Sequence, residues 1–268
     1  MGQKAAPLSL RTNFNYPIYG STEQYSKNYI LREYFLNYFY QRGIIINESN
    51  FKIENNILYI DFNFIISRNS NIYTKKFRRG LKLRSKINKI NQNFTSFLFT
   101  LSKLYNVKKV FIKSHRLETK ISRQILITIL SNGNKIGLFK HLKSRSVKDL
   151  IIISSLLLHT AQIKAATINF ILAKHFAWIP KKQHKRFFIF LRDYFKLLYF
   201  LDQQKNKHIL GIKLLVSGRI SGKSQASNFR SIIGSIFSQT LIAKLDYSSK
   251  TSFSKLGTFG WKLWIAKN

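Results

Sequence analysis

Chemistry at a protein site needs acids, bases, nucleophiles or metal ligands brought close together, and such groups are thinly spread in this sequence. The six histidines are His115, His141, His159, His175, His184 and His208. None has another three or four positions away, the spacing that places two imidazoles on one helical face. The ten acidic residues show no pairing of the kind that holds two metal ions for phosphoryl chemistry. There is no cysteine, which excludes disulfides, thiolate nucleophiles and sulfur-ligated zinc. Gly257-Thr258-Phe259-Gly260 has the form G-x-x-G but lies in an apolar, strand-like run, where close backbone packing at a turn or bulge is the better explanation. The composition points away from an enzyme, and no cofactor, metal or small-molecule substrate is implied.

Positive charge interleaved with rings is the stronger signal. The segment Lys75-Lys76-Phe77-Arg78-Arg79-Gly80-Leu81-Lys82-Leu83-Arg84-Ser85-Lys86 carries seven cations in twelve residues, a density of one sign that favours phosphate contact over a merely solvated loop. A second basic and aromatic run begins at Lys181 and continues Lys185-Arg186-Phe187-Phe188-Ile189-Phe190-Leu191-Arg192-Asp193-Tyr194-Phe195-Lys196. On a helix, Lys185, Arg192 and Lys196 fall near one face, while Phe188, Leu191, Phe195 and Leu198 form another. Two explanations of that helix stand side by side: a core helix with a solvated basic edge, or an edge that meets phosphates.

Whole-chain numbers give these runs a setting. The chain has 268 residues, with 46 Lys and Arg against 10 Asp and Glu, a formal net charge of +36. With 45% apolar residues and 15% aromatic ones it can build a real core, as one large domain or two small ones. A compact state with that charge repels itself, so a polyanionic partner is expected, either nucleic acid or an anionic membrane surface. Residue usage is biased toward Ile (35), Lys (32), Phe (23), Asn (21) and Tyr (13), and Lys outnumbers Arg 32 to 14. These favoured types have A- or T-rich codons, so part of the aromatic excess reflects an AT-rich genome, often an organelle's. The opening Met1-Gly2-Gln3-Lys4-Ala5-Ala6-Pro7 lacks the apolar core of a signal peptide, is not a transit helix, and has Ala6 where myristoylation wants Ser or Thr. The most apolar region, Leu150 to Ala173, is interrupted by His159, Gln162 and Lys164 and reads as a buried helix, without stable membrane insertion.

Elements that would position the cations follow from periodicity. Tyr29, Ile30, Tyr34, Phe35, Tyr38 and Phe39 predict a helix over Asn28–Arg42, stopped by Gly43. The Ile-rich Gly43–Ile53 and the alternating Ile57–Ile66 read as strands around an Asn55-Asn56 turn. Phe94, Phe97, Leu98, Leu101, Leu104 and Tyr105 predict a second helix, and Val107–Lys113 a short strand. Further helices are expected near Leu150–Phe176 and Arg186–Leu201, and an antiparallel sheet from the β-like runs Ile212–Val216, Gln239–Leu245 and Phe259–Ile265, punctuated by glycines.

Two segments also resemble a known family. Met1-Gly2-Gln3-Lys4 with Pro7, Leu8 and Arg11 resembles the opening of bacterial and organellar small-subunit ribosomal protein three. Gly211-Ile212-Lys213-Leu214-Leu215-Val216-Ser217-Gly218-Arg219-Ile220-Ser221-Gly222 is similar to that family's hallmark segment. The similarity continues through Gly234, Thr240-Leu241, Asp246-Tyr247, Gly257, Gly260, Lys262 and Trp264-Ile265 without a gap, covering roughly Gly211–Lys267.

The resemblance implies an α+β fold: a divergent type II KH domain (α-β-β-α-β), middle helices, and a C-terminal α+β domain with an antiparallel sheet. In domain terms it gives a basic N-terminal extension over 1–27, a degenerate KH-like domain over 28–115, an insertion atypical of the family over 116–160, and helices plus the C-terminal domain over 161–268. It implies a structural, non-catalytic role in the small subunit, bound to ribosomal RNA in the head beside the channel that admits messenger RNA, with neighbouring head proteins as partners. The codon bias favours a mitochondrial over a plastid ribosome. RNA-contacting residues are then expected at Lys4, Arg11, Lys75, Lys76, Arg78, Arg79, Lys82, Arg84, Lys86, Lys185, Arg186, Arg192, Lys196, Arg219, Lys223 and Arg230. The sequence departs from the family twice. The KH backbone clamp keeps only Gly80 among arginines, and Leu191 and Phe195 stand where channel-lining cations would be expected beside Arg192. A basic membrane-surface protein and an intron-processing nucleic-acid factor are the alternatives.

Overall fold

The computed structural model describes residues 22–41, 44–54, 56–66, 97–103, 106–117, 164–205, 207–238, 240 and 242–268. These fall into two compact units, residues 22–117 and residues 164–268. The architecture is α+β in both.

In the first unit, helix α1 (Thr22–Gln41) is followed by strands β1 (Ile44–Glu54) and β2 (Ile57–Ile66), a helical stretch at residues 97–103, and β3 (Lys109–Arg116). The sheet order is β1-β2-β3, with β1 antiparallel and β3 parallel to β2. The β1–β2 hairpin turns at Asn56, whose φ of 60° is one that asparagine tolerates better than most residues. Asn106 does the same after the second helix at φ 50°, where the Val107 N–H donates to the Ser102 carbonyl at 3.1 Å and stops the turn. Alternation in β2 sends Leu58, Ile60 and Phe62 into a core shared with Phe35, Phe39, Ile46, Phe97, Leu101 and Val107. Phe97 stacks on Tyr38 with ring centroids 4.1 Å apart, which fixes the second helix against α1. Truncating the fully buried Phe35 to alanine is expected to cost about 3–5 kcal/mol.

The second unit holds α2 (Ala165–Phe176), α3 (His184–Lys205), β4 (Ile209–Gly218), β5 (Ser227–Gly234), β6 (Leu245–Ser254) and β7 (Gly257–Lys267). The four strands form an antiparallel sheet in the order β5-β4-β7-β6. One face is covered by helices, α2 over β6 and β7, and α3 over β4 and β5. Phe176 sits at the centre of that layer, with ring centroids 4.8 Å from Phe259, 5.2 Å from Trp261 and 5.4 Å from Phe188. Two carboxylates tie helices to strands. The Asp246 Oδ2 accepts from the Ala165 N–H at 2.8 Å at the start of α2, and the Asp202 Oδ2 accepts from the Ile209 N–H at 2.8 Å where α3 gives way to β4.

Several expectations need correction. The described residues of the apolar run Gln239–Leu245 do not form the expected strand: Ile242 is 85% exposed, residues 242–244 are turn and coil, and a strand begins only at Leu245. Pairing goes instead to Leu245–Ser254, a Ser- and Thr-rich strand with little apolar alternation, held by its register with β7 at the sheet edge. Strand β5 was likewise absent from the expected set. Helix α1 starts at Thr22, six residues before the expected Asn28. The apolar stretch from Leu150 emerges among the described residues as α2, twelve residues long and mostly buried. Among the described residues no helix is long and apolar enough to cross a membrane. Gly257 and Gly260 do lie on a turn and a strand. Gly257 follows the β6–β7 turn at φ 119°, and a Cβ on Gly260 would press on the Ser217 hydroxyl at 3.0 Å.

Candidate nucleic-acid interface

Helix α3 is the described element that carries most of the expected cations. Its buried face is Phe187, Phe188, Leu191, Tyr194, Phe195 and Leu198, all packed toward the sheet. The 3.6-residue repeat therefore leaves Lys185, Ile189, Arg192, Lys196 and Phe200 in one exposed stripe, with Arg186 exposed beside it. The spacing argument for Lys185, Arg192 and Lys196 thus describes a real solvent-facing edge. Leu191 and Phe195 are core residues, which is why they could not be cations in this register. Arg192 is partly engaged: its Nε donates to the neighbouring Asp193 Oδ1 at 3.2 Å, an exposed pair of little energetic weight.

Before α3 the chain turns through Trp178-Ile179-Pro180 and a short 3-10 turn, Lys181–Gln183. His184 locks this corner to the β4–β5 connection. The Ser221 N–H donates to its Nδ1 at 3.2 Å, and its Nε2 faces the Ile179 carbonyl at 3.3 Å. Nδ1 must accept, so Nε2 carries the proton and the ring is neutral. Burial pulls its pKa below the ordinary histidine value, with the Ile179 hydrogen bond opposing. On the same connection Arg219 donates from Nε to the Lys223 carbonyl at 3.1 Å, and both side chains are exposed. Arg219 thus fixes the backbone at Lys223, and a Cβ on the intervening Gly222 would lie 3.6 Å from the Lys181 side chain.

Arg230 is on a different surface, the open face of the second sheet. Register places Arg230, Leu215, Lys262 and Ser249 in one row, and Ile232, Lys213, Trp264 and Tyr247 in the next. The opposite face carries Ile212, Leu214, Val216, Trp261 and Leu263 into the core. The Lys213 ammonium lies over the Trp264 ring, 4.7 Å from its centroid, and the Tyr247 and Trp264 centroids are 5.1 Å apart. The pKa of Lys213 is lowered by burial and then by the Arg230 charge, and burial raises that of the Tyr247 hydroxyl. Lys213, Tyr247, Lys262 and Trp264 were not picked out as site residues from sequence. Alternation in β7, with Lys262 and Trp264 two apart between buried neighbours, was the available signal.

Lys4, Arg11, Lys75, Lys76, Arg78, Arg79, Lys82, Arg84 and Lys86 lie outside the described residues, as does the segment 118–163. Among the described residues, no group of three or more His, Asp or Glu side chains is gathered as a metal site would require.

Fold and surface together define a basic α+β protein that displays cations on a helix edge and on an open sheet face. No family model matches the chain. It is similar to small ribosomal subunit protein uS3 of Pseudothermotoga lettingae, 37% identical over 67 residues, which is 25% of this chain and 32% of that protein. It is also similar to the uS3 of Fervidobacterium nodosum, 42% identical over 57 residues, 21% of this chain and 27% of that one. A third relative is the uS3c of Chlamydomonas moewusii, 40% identical over 63 residues, 24% of this chain and 8% of that protein. Over about a quarter of its length the chain is thus similar to bacterial and chloroplast-type small-subunit proteins uS3, which are named as ribosomal proteins. The matched stretch spans about a third or less of these relatives' own length.

Proposed function

We propose that the chain is a structural constituent of the small subunit of an organellar ribosome, where it binds ribosomal RNA and neighbouring small-subunit proteins. The observation that carries this is the identity of 34–42% with small-subunit proteins in a chain of net charge +36. Lys and Arg replace condensed counterions on the RNA backbone, while sheet and helices hold them in register. Relatives of bacterial and of chloroplast type both match, which supports an organellar ribosome. Within that class the Lys-, Ile- and Asn-rich composition favours a mitochondrial one.

The finer assignments rest on the elements and their exposed residues. The order α1-β1-β2-helix-β3, with β3 parallel to β2, supports a KH-like first unit whose segment between β2 and the second helix binds phosphate through Arg78, Arg79 and Lys82 instead of through a G-x-x-G clamp. The exposed stripe of α3 supports a position beside the channel that admits messenger RNA in the subunit head. On this account 1–27 is a basic extension on ribosomal RNA, 28–115 the KH-like domain, 116–160 an insertion and 161–268 the C-terminal part. To test the RNA assignment, the tagged chain is crosslinked by ultraviolet light in its own organelle and the attached RNA sequenced. Enrichment of small-subunit ribosomal RNA is expected; enrichment of intron-containing transcripts alone would contradict the proposal and favour a processing factor.

A further inference from the structure

The open face of the second sheet has an arrangement that general phosphate binding does not require. Four strands present Asn228, Arg230 and Ile232 (β5), Lys213, Leu215 and Ser217 (β4), Gly260, Lys262 and Trp264 (β7), and Tyr247, Ser249 and Thr251 (β6). No Asp or Glu is among them: Asp246, between Leu245 and Tyr247, points the other way, to the start of α2. Tyr247 and Trp264 form an aromatic pair inclined at 44°, partly open to solvent, and Lys213 lies against the indole. Arg230 and Lys262 are exposed on either side of Leu215 in the next row, one strand spacing from the rings.

Charge decides which occupant this face suits. Three cations and no carboxylate disfavour an acid-free apolar protein segment, because Lys213 and Arg230 already repel one another and would lose water without gaining a counter-charge. A nucleic-acid strand supplies both complements at once. Its bases have π-faces for the rings, and its phosphates, one per nucleotide, meet the flanking cations. The lack of a carboxylate also separates this face from the first unit's sheet, where the exposed stacked pair Tyr59 and Phe111 shares its face with Asp61.

We infer that the open face of the β5-β4-β7-β6 sheet is a single-strand RNA platform, stacking a base on Trp264 and Tyr247 and holding its phosphates with Lys213, Arg230 and Lys262. This rests on the ribosomal RNA assignment and adds to it a mode: the face takes an unpaired segment, whereas the α3 edge meets backbone of either form. Stacking is tolerant of base identity, so shape and unpairedness would be read, not sequence.

The test uses the full chain and a short oligouridylate carrying 4-thiouridine. Photocrosslinks should map to the peptides of β6 and β7 that hold Tyr247 and Trp264. Affinity should fall about tenfold in both Trp264→Ala and Trp264→Leu, and recover in Trp264→Phe, as expected when one stacked base is lost. The leucine variant keeps the apolar cover, so its loss is not a folding defect. Arg230→Ala combined with Lys262→Ala should reduce the salt slope by about 1.4, at about 0.7 per phosphate, while Trp264→Leu leaves the slope unchanged. If the chain binds the strand but Trp264→Leu binds as the wild type does and crosslinks fall elsewhere, the platform is overturned, the face is left to a protein neighbour, and the RNA assignment stands. If the wild-type chain does not bind the strand at all, the RNA assignment itself fails and the platform with it.

Discussion

His184 shows how much a single side chain can carry without touching a ligand. Its neutral ring accepts from Ser221, 37 residues further on, and donates to Ile179, joining two turns distant in sequence. Because folding lowers its pKa, the unfolded chain binds more protons as acid is added. The stability it contributes is therefore present above the unfolded value of about 6.5 and is lost as pH falls below it. Denaturant midpoints of wild type and His184→Gln should differ most at neutral pH and converge in mild acid; a gap that widens in acid would contradict this. Asp202 is fully buried and receives the Ile209 N–H, so Asp202→Ala should cost about 2 kcal/mol in urea unfolding, with Asp202→Asn costing less. Neither role was legible in the sequence. His184 read only as a lone histidine in a basic run, and its partner comes from a turn that no local pattern announces. The hallmark glycines are a similar case. Gly218 takes φ 154° and would bring a Cβ within 2.5 Å of Phe259, and a Cβ on Gly211 would run into the Ser235 carbonyl. Their spacing marks sheet geometry.

Elements with one clean period were readable, and those without it were not. Strand β2 has the bounds Ile57–Ile66 that its alternation predicts, and α3 exposes Lys185, Arg192 and Lys196 on the edge that their spacing predicts. Strand β6 escaped notice because Ser248 and Ser252 fill its buried positions: Ser248 accepts from Asn169, and Ser252 accepts from the Trp261 indole. An edge strand held by hydrogen bonds into a helix layer needs little apolar alternation. At this scale the α3 stripe makes its own prediction. Reversing Lys185, Arg192 and Lys196 to glutamate together should weaken RNA binding and lower the salt slope by about 2, with the helix retained because none of the three is buried. Circular dichroism checks the helix and a salt series checks the slope; an unchanged slope would return α3 to the role of a core helix with a solvated edge. Reversal of Arg78, Arg79 and Lys82 should impair assembly more than reversal of three scattered surface lysines.

For the molecule as a whole, the imbalance of 46 cations over 10 acids is resolved by where the acids go. Asp202 and Asp246 accept from backbone N–H groups inside the second unit and hold the fold, Asp246 also pairing with the Lys267 ammonium at 3.7 Å, and the open sheet face carries no carboxylate. Such a surface stays soluble alone but binds a polyanion with strong salt dependence. Charge and composition were plain from the sequence and pointed to a polyanion without saying which; the terminal motifs and then the relatives support the proposal that it is ribosomal RNA. The two compact units each have their own sheet, a strand hairpin with its helices in one and a glycine-punctuated antiparallel sheet in the other. The most direct measurement is sedimentation of an organelle lysate through a gradient in high salt, following the chain by antibody, with and without prior RNA digestion. The account predicts that the chain travels with small subunits in high salt and leaves that fraction when RNA is digested. Flotation with lipid after digestion, or a position at the top of the gradient while small subunits remain intact, would contradict it.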